Sequence, residues 1–246
     1  MLKMIGRKVS RLGDVIQEPR LLAIRMKGVD VGMFECLNKP WLLNSGIRTV
    51  FDVGANTGQF ARAIHEVLPE AYIYSFEPLS DCFKRLEVAM RDVHKFQAFN
   101  VALADKNGEE LFYRSAWSPS SSFLPMGQLH KDNFPFTAPE STVTVAVSRL
   151  DNYLNELTMD EEILVKLDVQ GCEDKVISGG KCVLHRTKIL IVETSMVPLY
   201  EGQPLFGDLF TLLTQQGFKY HGALSQADSP IDGSVLYTDS VFTRDT

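Results

Sequence analysis

The sequence predicts an α/β protein with a mostly parallel seven-stranded sheet and helices on both of its faces. From Thr49 onward, short runs of β-forming residues alternate with amphipathic helical patterns, which is typical of βαβ units. The last two runs, Phe218–Ala223 and Val235–Thr243, are separated by a turn region rich in Gly, Pro and Asp. They predict an antiparallel hairpin at one edge of the sheet.

Length and composition favour one large globular domain or one domain with an appendage. The chain has 246 residues, 45% of them hydrophobic and 23% charged, close to the usual balance of roughly 45–50% and 25%. The net charge of −6 argues against a general nucleic-acid binder, which should be basic. No CxxC pair and no membrane-length apolar run are present, and the first residues lack the apolar segment of a secretory signal. We therefore expect a cytoplasmic protein with reduced thiols.

Residues 1–46 are predicted to form an N-terminal helical extension of a domain that spans residues 47–246. The first thirty residues carry seven Lys/Arg against three Asp/Glu. One helical stripe of apolar residues three or four apart is formed by Leu2, Ile5, Val9, Leu12 and Ile16. We expect this arm to cover the main domain or the second subunit of a homodimer. Contact of a basic helix with a membrane surface is the less favoured alternative.

The elements of the sheet domain follow in order. The seven predicted strands are Thr49–Val53, Ala71–Phe76, Gln97–Leu103, Ile163–Val169, Lys188–Glu193, Phe218–Ala223 and Val235–Thr243. Apolar residues three and four apart predict the helices between them. Pro69 should end the first helix, Ser80 should cap the second and Gly217 should follow the last. A single helix is predicted to contain Val176 through Leu184.

The βα alternation is interrupted after the third strand. Glu109–Arg114 and Thr142–Val147 resemble strands, and the Ser/Pro-rich stretch Ser115–Glu140 between them is predicted to be a long loop. Loops of this length are often binding loops or lids, although an ordinary surface insertion is the alternative. The aromatic residues that would exclude water from a ligand are Trp117, Phe123, Phe134 and Phe136.

The strongest functional motif is FDVGANTG at residues 51–58, where the first strand meets a turn and then a helix. Glycine permits close backbone approach to a ligand, and a helix N-terminus offers unpaired N–H groups. A dinucleotide fingerprint would need glycine at positions 54, 56 and 59, but the chain has Gly54, Asn56 and Gln59. The spacing instead follows the D/E-x-G-x-G-x-G loop of S-adenosylmethionine-dependent methyltransferases. Asn56 stands at the middle glycine and tolerates left-handed backbone angles; a turn without a ligand is the alternative.

An acidic residue follows this turn at a suitable distance. Glu77 lies nineteen residues after Gly58, at the end of the second strand. A carboxylate at this position, about 20 residues past a Gly loop, can accept hydrogen bonds from both ribose hydroxyls of a nucleoside. The two features together predict a nucleoside-binding crevice, although a Glu before a Pro is on its own usually a solvated turn.

Two charged residues stand in the otherwise apolar fourth strand. Lys166 and Asp168 share one face of the strand, and burying charges is costly unless they are paired or functional. Ligands of open α/β sheets bind outside the carboxyl ends of the strands, where Asp168 and Glu193 stand. Asp168 is therefore the candidate general base, Lys166 would hold its orientation, and Glu193 is the alternative base. A buried structural ion pair is the other interpretation.

The motifs, taken in order, resemble those of the FkbM-type methyltransferases. The resemblance covers residues 48–243 and depends on FDVGANTG, YSFEP, NVALAD, SRLDNYL, VKLDVQGCE and IVETS. It implies a Rossmann-like class I methyltransferase fold with S-adenosylmethionine as cofactor. It also implies methylation of a hydroxyl on a sugar-containing or polyketide-like small molecule.

The resemblance also implies a set of cofactor-binding residues. They are Asp52, Gly54, Ala55, Asn56, Gly58, Glu77, Pro78, Asn100, Val101, Ala102 and Ser121. The residues from 52 to 58 would shape the methionine part of the pocket, Glu77 would hold the ribose, and the 100–102 segment would lie beside the adenine. Ser121 belongs to a stretch that resembles the serine-containing loop of the family.

Methyl transfer to a hydroxyl sets the remaining expectations. The reaction needs an in-line arrangement and a general base within about 2.6–3.2 Å of the hydroxyl. We predict no metal, although Asp168 and Glu193 together offer oxygen ligands for a divalent cation. His130, in the long loop, is the one histidine to test as an acceptor contact. The acceptor should be a small molecule or saccharide and not a nucleic acid. A catalytically silent cofactor-binding protein remains an alternative, and an NAD-dependent oxidoreductase is a weaker one because its glycine spacing is absent.

Overall fold

The computed structural model describes residues 19–159 and 162–244; the predicted apolar stripe between Leu2 and Ile16 lies outside them. In chain order, the α-helices are α1 (Pro19–Met26), α2 (Val31–Leu37), α3 (Pro40–Leu43), α4 (Gln59–Val67), α5 (Ser80–Met90), α6 (Gln128–Asn133), α7 (Glu173–Gly179), α8 (Lys181–His185) and α9 (Phe206–Gln215). The strands are β1 (Thr49–Val53), β2 (Tyr72–Phe76), β3 (Phe96–Phe99), β4 (Ala102–Leu103), β5 (Gly108–Ser115), β6 (Glu140–Ser148), β7 (Ile163–Leu167), β8 (Thr187–Ser195), β9 (Lys219–Asp228) and β10 (Val235–Thr243).

Seven strands form the main sheet in the order β3-β2-β1-β7-β8-β10-β9. Every pairing is parallel except the two that β10 makes with β8 and β9. The mostly parallel seven-stranded sheet with a hairpin at its edge is therefore confirmed, and this strand order is that of the class I methyltransferase fold. The order reverses between β1 and β7, and ligands of open α/β sheets bind at the carboxyl ends of the strands at such a point.

The central strands send alternate side chains into two cores, one on each face of the sheet. In β1, Val50 packs into the core that includes Ile64 of α4, whereas Phe51 packs into the core that includes Ile177 of α7 and Leu213 of α9. Side chains of a strand point alternately to opposite faces, so a strand covered by helices on both faces is apolar along most of its length. The predicted helices on both faces are thereby confirmed.

The described part of the predicted N-terminal extension covers this domain. Helices α2 and α3 contribute Phe34 and Leu42, both buried, to the core that contains Ile64, and α1 contributes Leu21. Lys27 adds an ion pair to Glu66 of α4, with 2.7 Å between Nζ and Oε2. Residues 19–46 therefore pack on the sheet domain, while a domain boundary at residue 46 stays a prediction.

The predicted third strand, Gln97–Leu103, is wrong as a single element. The chain leaves the main sheet after β3, and β4 joins a separate three-stranded sheet of order β4-β6-β5. The side chain of Asn100, between the two strands, donates hydrogen bonds to the carbonyls of Glu77 and Pro78, both at 2.9 Å. These bonds fix the chain where it turns toward the second sheet.

Two helix predictions also need correction. Ser80 does not cap α5 but begins it, and its hydroxyl donates to Asn100 Oδ1 at 2.9 Å. The single helix predicted through Val176 and Leu184 is two helices, α7 and α8, separated at Gly180. A Cβ on the preceding Gly179 would lie 2.0 Å from the carbonyl oxygen of Ala104, so the small-residue pair permits both the break and the close packing.

The stretch Ser115–Glu140 is more ordered than the predicted loop. It contains α6 and two 3₁₀ turns, Ser118–Ser120 and Pro135–Thr137. The hydroxyl of Ser115 donates to the carbonyl of Thr137 at 2.7 Å, which ties one end of the stretch to the other. The segment therefore forms a packed connection between β5 and β6.

Replacement of Phe34 by alanine tests whether α2 belongs to the core of this domain. The side chain is 1% exposed, and loss of a buried phenylalanine typically costs about 3–5 kcal/mol of unfolding free energy. Urea denaturation should show a loss in this range. Phe136→Ala, at a side chain 62% exposed, is the control, with an expected change within about 0.5 kcal/mol. A loss below 1 kcal/mol for Phe34→Ala would contradict the packing.

Candidate active site

The turn after β1 lies against the end of β7. Gly54 has φ +80°, and a Cβ there would lie 1.9 Å from the carbonyl oxygen of Asp168. Only glycine therefore fits at this position. Asn56 adopts the expected left-handed conformation, with φ +47°, and its Nδ2 donates to Ser118 Oγ at 3.1 Å. The turn is thus held between the strand β7 and the Ser115–Glu140 stretch.

Glu77 joins the tip of β2 to this turn. Its two carboxylate oxygens accept hydrogen bonds from the backbone N–H groups of Asn56, at 2.9 Å, and Leu79, at 2.8 Å. The residue is 4% exposed, and burial raises the pKa of its carboxyl group to about 7, against the two backbone hydrogen bonds that lower it. The predicted acid is therefore a buried group that faces the glycine turn.

A first cavity of about 570 Å³ lies beside Glu77 and the turn. The predicted cofactor residues that line it are Gly54, Asn56, Glu77, Pro78, Val101, Ala102 and Ser121. The other four, Asp52, Ala55, Gly58 and Asn100, do not line it. Gly58 instead begins α4 at φ +89°, where a Cβ would lie 2.9 Å from Leu86 of α5. Most of the predicted cofactor residues therefore line one cavity, and the other four lie outside its lining.

Lys166 is held between two carboxylates behind the turn. Its Nζ lies 3.1 Å from Asp168 Oδ2 and 3.6 Å from Asp52 Oδ1, and it donates to the carbonyl of Gly54 at 3.2 Å. Burial opposes the ammonium charge, but the charges of Asp168 and Asp52 raise the pKa of Lys166 above its ordinary value. Burial also raises the pKa of Asp52, which Lys166 counteracts. The ion pair between Lys166 and Asp168 is therefore present, as the strand spacing predicted.

Gln170 connects the two candidate bases and was missed by the sequence analysis. Its Nε2 donates to Asp168 Oδ1 at 2.7 Å and to Glu193 Oε1 at 2.9 Å. Its Oε1 accepts from the hydroxyl of Tyr200 at 2.8 Å, and its backbone has φ +58°. The VQGCE motif contains this residue, but strand spacing alone gives no sign that its amide bridges two strands.

A second cavity, of about 1100 Å³, opens on the other side of Asp168. Its walls are α2, the ends of β7 and β8, and the β9–β10 hairpin. They contribute Asp30, Met33, Lys166, Glu193, Ser225, Tyr237 and Asp239. Among the residues that the structure describes, Asp168 is the one shared by both cavities. Sequence reasoning missed the residues from α2 and the hairpin because they are more than 130 positions away from one another.

His130 and most of the predicted lid residues lie elsewhere. His130 is buried and lines neither cavity; its ring lies 5.2 Å from that of Tyr200 and 5.4 Å from that of Phe134. Burial lowers the pKa of this imidazole to about 4. Trp117 and Phe136 pack against each other at the surface. The position of His130 therefore does not support an acceptor contact.

Within residues 19–159 and 162–244, no three His, Cys, Asp or Glu residues are grouped so as to hold a metal ion. None of the helices in that part of the chain has the length and apolar character needed to cross a membrane.

The strand order, the glycine turn at its switch point and the acid at the tip of β2 define a class I methyltransferase. The family model "Methyltransferase FkbM domain" matches residues 52–220. The chain therefore belongs to the FkbM methyltransferase family. This membership confirms the resemblance and the predicted methyltransferase class.

The chain is similar to two known proteins and to a solved structure. The 2-O-methyltransferase NoeI of Sinorhizobium fredii is 31% identical over 169 residues, which span 66% of this chain and 69% of NoeI. The AMB antimetabolite synthetase AmbE of Pseudomonas aeruginosa is 28% identical over 173 residues, 58% of this chain but 8% of AmbE. The solved TehB-like S-adenosylmethionine-dependent methyltransferase from Corynebacterium glutamicum is 12% identical, with coverage of 96% and 99% and a TM-score of 0.44.

Replacement of Glu77 by glutamine tests the burial of this acid. The pKa in the folded protein, about 7, lies above the ordinary value of 4.5, so the protonated carboxyl stabilises the fold. That contribution is complete below pH 4.5 and is lost as the pH rises through 7. Relative to Glu77→Gln, the wild type should lose up to about 3 kcal/mol of unfolding free energy between pH 4.5 and 8. Chemical denaturation across this range measures the difference, and parallel curves for the two proteins would contradict it.

Proposed function

We propose that the protein transfers the methyl group of S-adenosylmethionine to a hydroxyl of a small-molecule or saccharide acceptor. The observation that carries this proposal is the position of Asp168, which lines both cavities. One cavity would hold the cofactor, the other the acceptor, and the candidate base lies where the two meet. The name of the relative NoeI, a 2-O-methyltransferase, supports oxygen as the methylated atom.

The first cavity fits a nucleoside cofactor. The glycine cradle at Gly54 leaves space for close approach, and Glu77 presents a buried carboxylate at the tip of β2. Glu77 would accept hydrogen bonds from the ribose hydroxyls, while Val101 and Ala102 would lie beside the adenine. Asp52, with Lys166, would support the turn from behind. When bound, S-adenosylmethionine supplies an electrophilic methyl group.

Asp168 would accept the proton of the acceptor hydroxyl. Lys166 faces Oδ2 and the Gln170 amide faces Oδ1, so both oxygens are held in place while further acceptor sites remain on the carboxylate. Glu193 stays the alternative base. Burial and the charge of Asp168 raise the pKa of Glu193 well above the ordinary value, so Glu193 retains a proton more readily than an exposed glutamate does.

Homodimer formation and a cytoplasmic location belong to the same proposal as expectations. The helices that follow Pro19 pack on their own domain, which supports the covering role proposed for the N-terminal extension. The division of the chain at residue 46 is likewise proposed.

Thermal unfolding with and without ligands tests the cofactor. S-adenosylmethionine and S-adenosylhomocysteine should each raise the midpoint, because a ligand at 100 times its Kd adds about 2.7 kcal/mol to the folded state; NAD should not. Glu77→Gln should weaken the binding of both ligands at least tenfold, since hydrogen bonds to a charged group are worth about 1.5–3 kcal/mol. Glu201→Gln, at an exposed residue, is the control. Stabilisation by NAD alone would favour the oxidoreductase.

Replacement of Asp168 by asparagine tests the base. With a methyl-labelled donor and an extract of the cells from which the gene comes, Asp168→Asn should reduce methyl transfer by about 10²–10⁴-fold while cofactor affinity changes little. Glu193→Gln should retain most of the activity. Full turnover in Asp168→Asn together with loss in Glu193→Gln would assign the base to Glu193. Label transfer by the wild type itself excludes the silent-scaffold alternative.

A further inference from the structure

The floor of the second cavity is a row of oxygen-bearing side chains on adjacent strands. Glu193 of β8 lies directly opposite Asp239 of β10, and Asp239 lies directly opposite Ser225 of β9. Asp168 follows β7, the neighbour of β8 on its other side. All four residues line the cavity, so the row leads away from the point where the two cavities meet. We call Asp168, Glu193 and Asp239 the carboxylate row.

Among the described residues, the cation beside the carboxylate row is Lys166, which pairs with Asp168 and not with Glu193 or Asp239. Like charges directly opposite each other on neighbouring strands destabilise a sheet, yet Glu193 and Asp239 occupy such positions. Neither forms an ion pair with any residue in the described ranges; Glu193 accepts from the Gln170 amide and Asp239 from the Ser225 hydroxyl, both neutral groups. Glu193 and Asp239 therefore present carboxyl oxygens to the cavity that a ligand can bind.

Around the whole second cavity, negatively charged side chains outnumber positively charged ones among the described residues. The described lining residues include four carboxylates, namely the three of the row and Asp30, the N-cap of α2, and one ammonium, that of Lys166. Lys166 is already shared by Asp168 and Asp52. It is therefore not available to bind an anionic group of a ligand, and such a group would face the unpaired carboxylates of Glu193 and Asp239.

We propose that the second cavity takes a polyhydroxylated acceptor without phosphate or carboxylate groups, such as a neutral or amine-bearing sugar. Carboxyl oxygens of the row accept hydrogen bonds from ligand hydroxyl groups. An ammonium ligand would favour the ionised forms of Glu193 and Asp239, and these ionised forms would repel an anionic ligand. An ammonium near Asp239 would supply the cation that this part of the cavity lacks. This inference deepens the proposed methyl transfer and rests on it.

The charge of the methylated product tests the inference directly. The full-length protein is incubated with methyl-labelled S-adenosylmethionine and a cell extract. The unreacted donor, a cation that would also pass the resin, is removed, and the labelled small molecules that appear only when the protein is added are passed over an anion-exchange resin at pH 8. We expect the label in the unretained fraction. Label that is retained and released by salt would overturn the acceptor class but leave methyl transfer standing. No label in any fraction, with cofactor binding intact, would overturn the proposed function and this inference together.

The purified unretained acceptor then tests the role of the carboxylate row. Asp239→Asn should raise the KM for this acceptor at least tenfold, with little change in kcat or cofactor affinity, because Asp239 lines only the second cavity. Asp92→Asn, at a side chain 89% exposed and outside both cavities, should leave all three values unchanged. Ser225→Ala keeps the charge and removes the bond to Asp239, so a smaller rise in KM is expected. An unchanged KM in Asp239→Asn and Ser225→Ala would overturn the role.

Discussion

The active-site region depends on one buried ammonium group. Lys166 lies between Asp52 of β1 and Asp168 after β7, the two strands on either side of the switch point of the sheet. Without this cation, two carboxylates would share a poorly solvated space, where like charges cannot both remain ionised at low cost. The absence of a side chain at Gly54 lets the turn reach the backbone of Asp168. The ion pair and the glycine together set where the two cavities meet.

Buried acids extend from this centre in both directions, and each has an energetic cost. Burial raises the pKa of Glu77 on the side of the first cavity and of Glu193 and Asp239 on the side of the second. Their partners are backbone N–H groups, an amide and a hydroxyl. Such an arrangement weakens the ligand-free fold and leaves acceptor oxygens for bound molecules. A site that binds hydroxyl-rich ligands gains from the same groups that destabilise its empty form.

Local sequence patterns were sufficient to predict the main sheet and most of the residues around the first cavity. Strand β1 coincides with the predicted range, and the left-handed Asn56 follows from a side chain that tolerates this conformation. The errors arose where tertiary contacts override local signals. The bonds of Asn100 divide the third strand, and packing of Gly179 on Ala104 accompanies the break between α7 and α8. The bridge formed by Gln170 was likewise inaccessible to local reasoning, since its partner Glu193 is 23 positions away.

The two cavities also differ in which part of the chain builds them. All residues that line the first cavity fall between Val53 and Gln170, within the 52–220 range of the family model. The second cavity takes its outer walls from α2 and from the β9–β10 hairpin, both outside that range. The range matched by the family model thus supplies the first cavity and the candidate base, and flanking segments shape the second cavity. The walls of the second cavity can therefore change without disturbing Lys166 or the glycine turn, so the proposed acceptor side can vary independently of the proposed donor side.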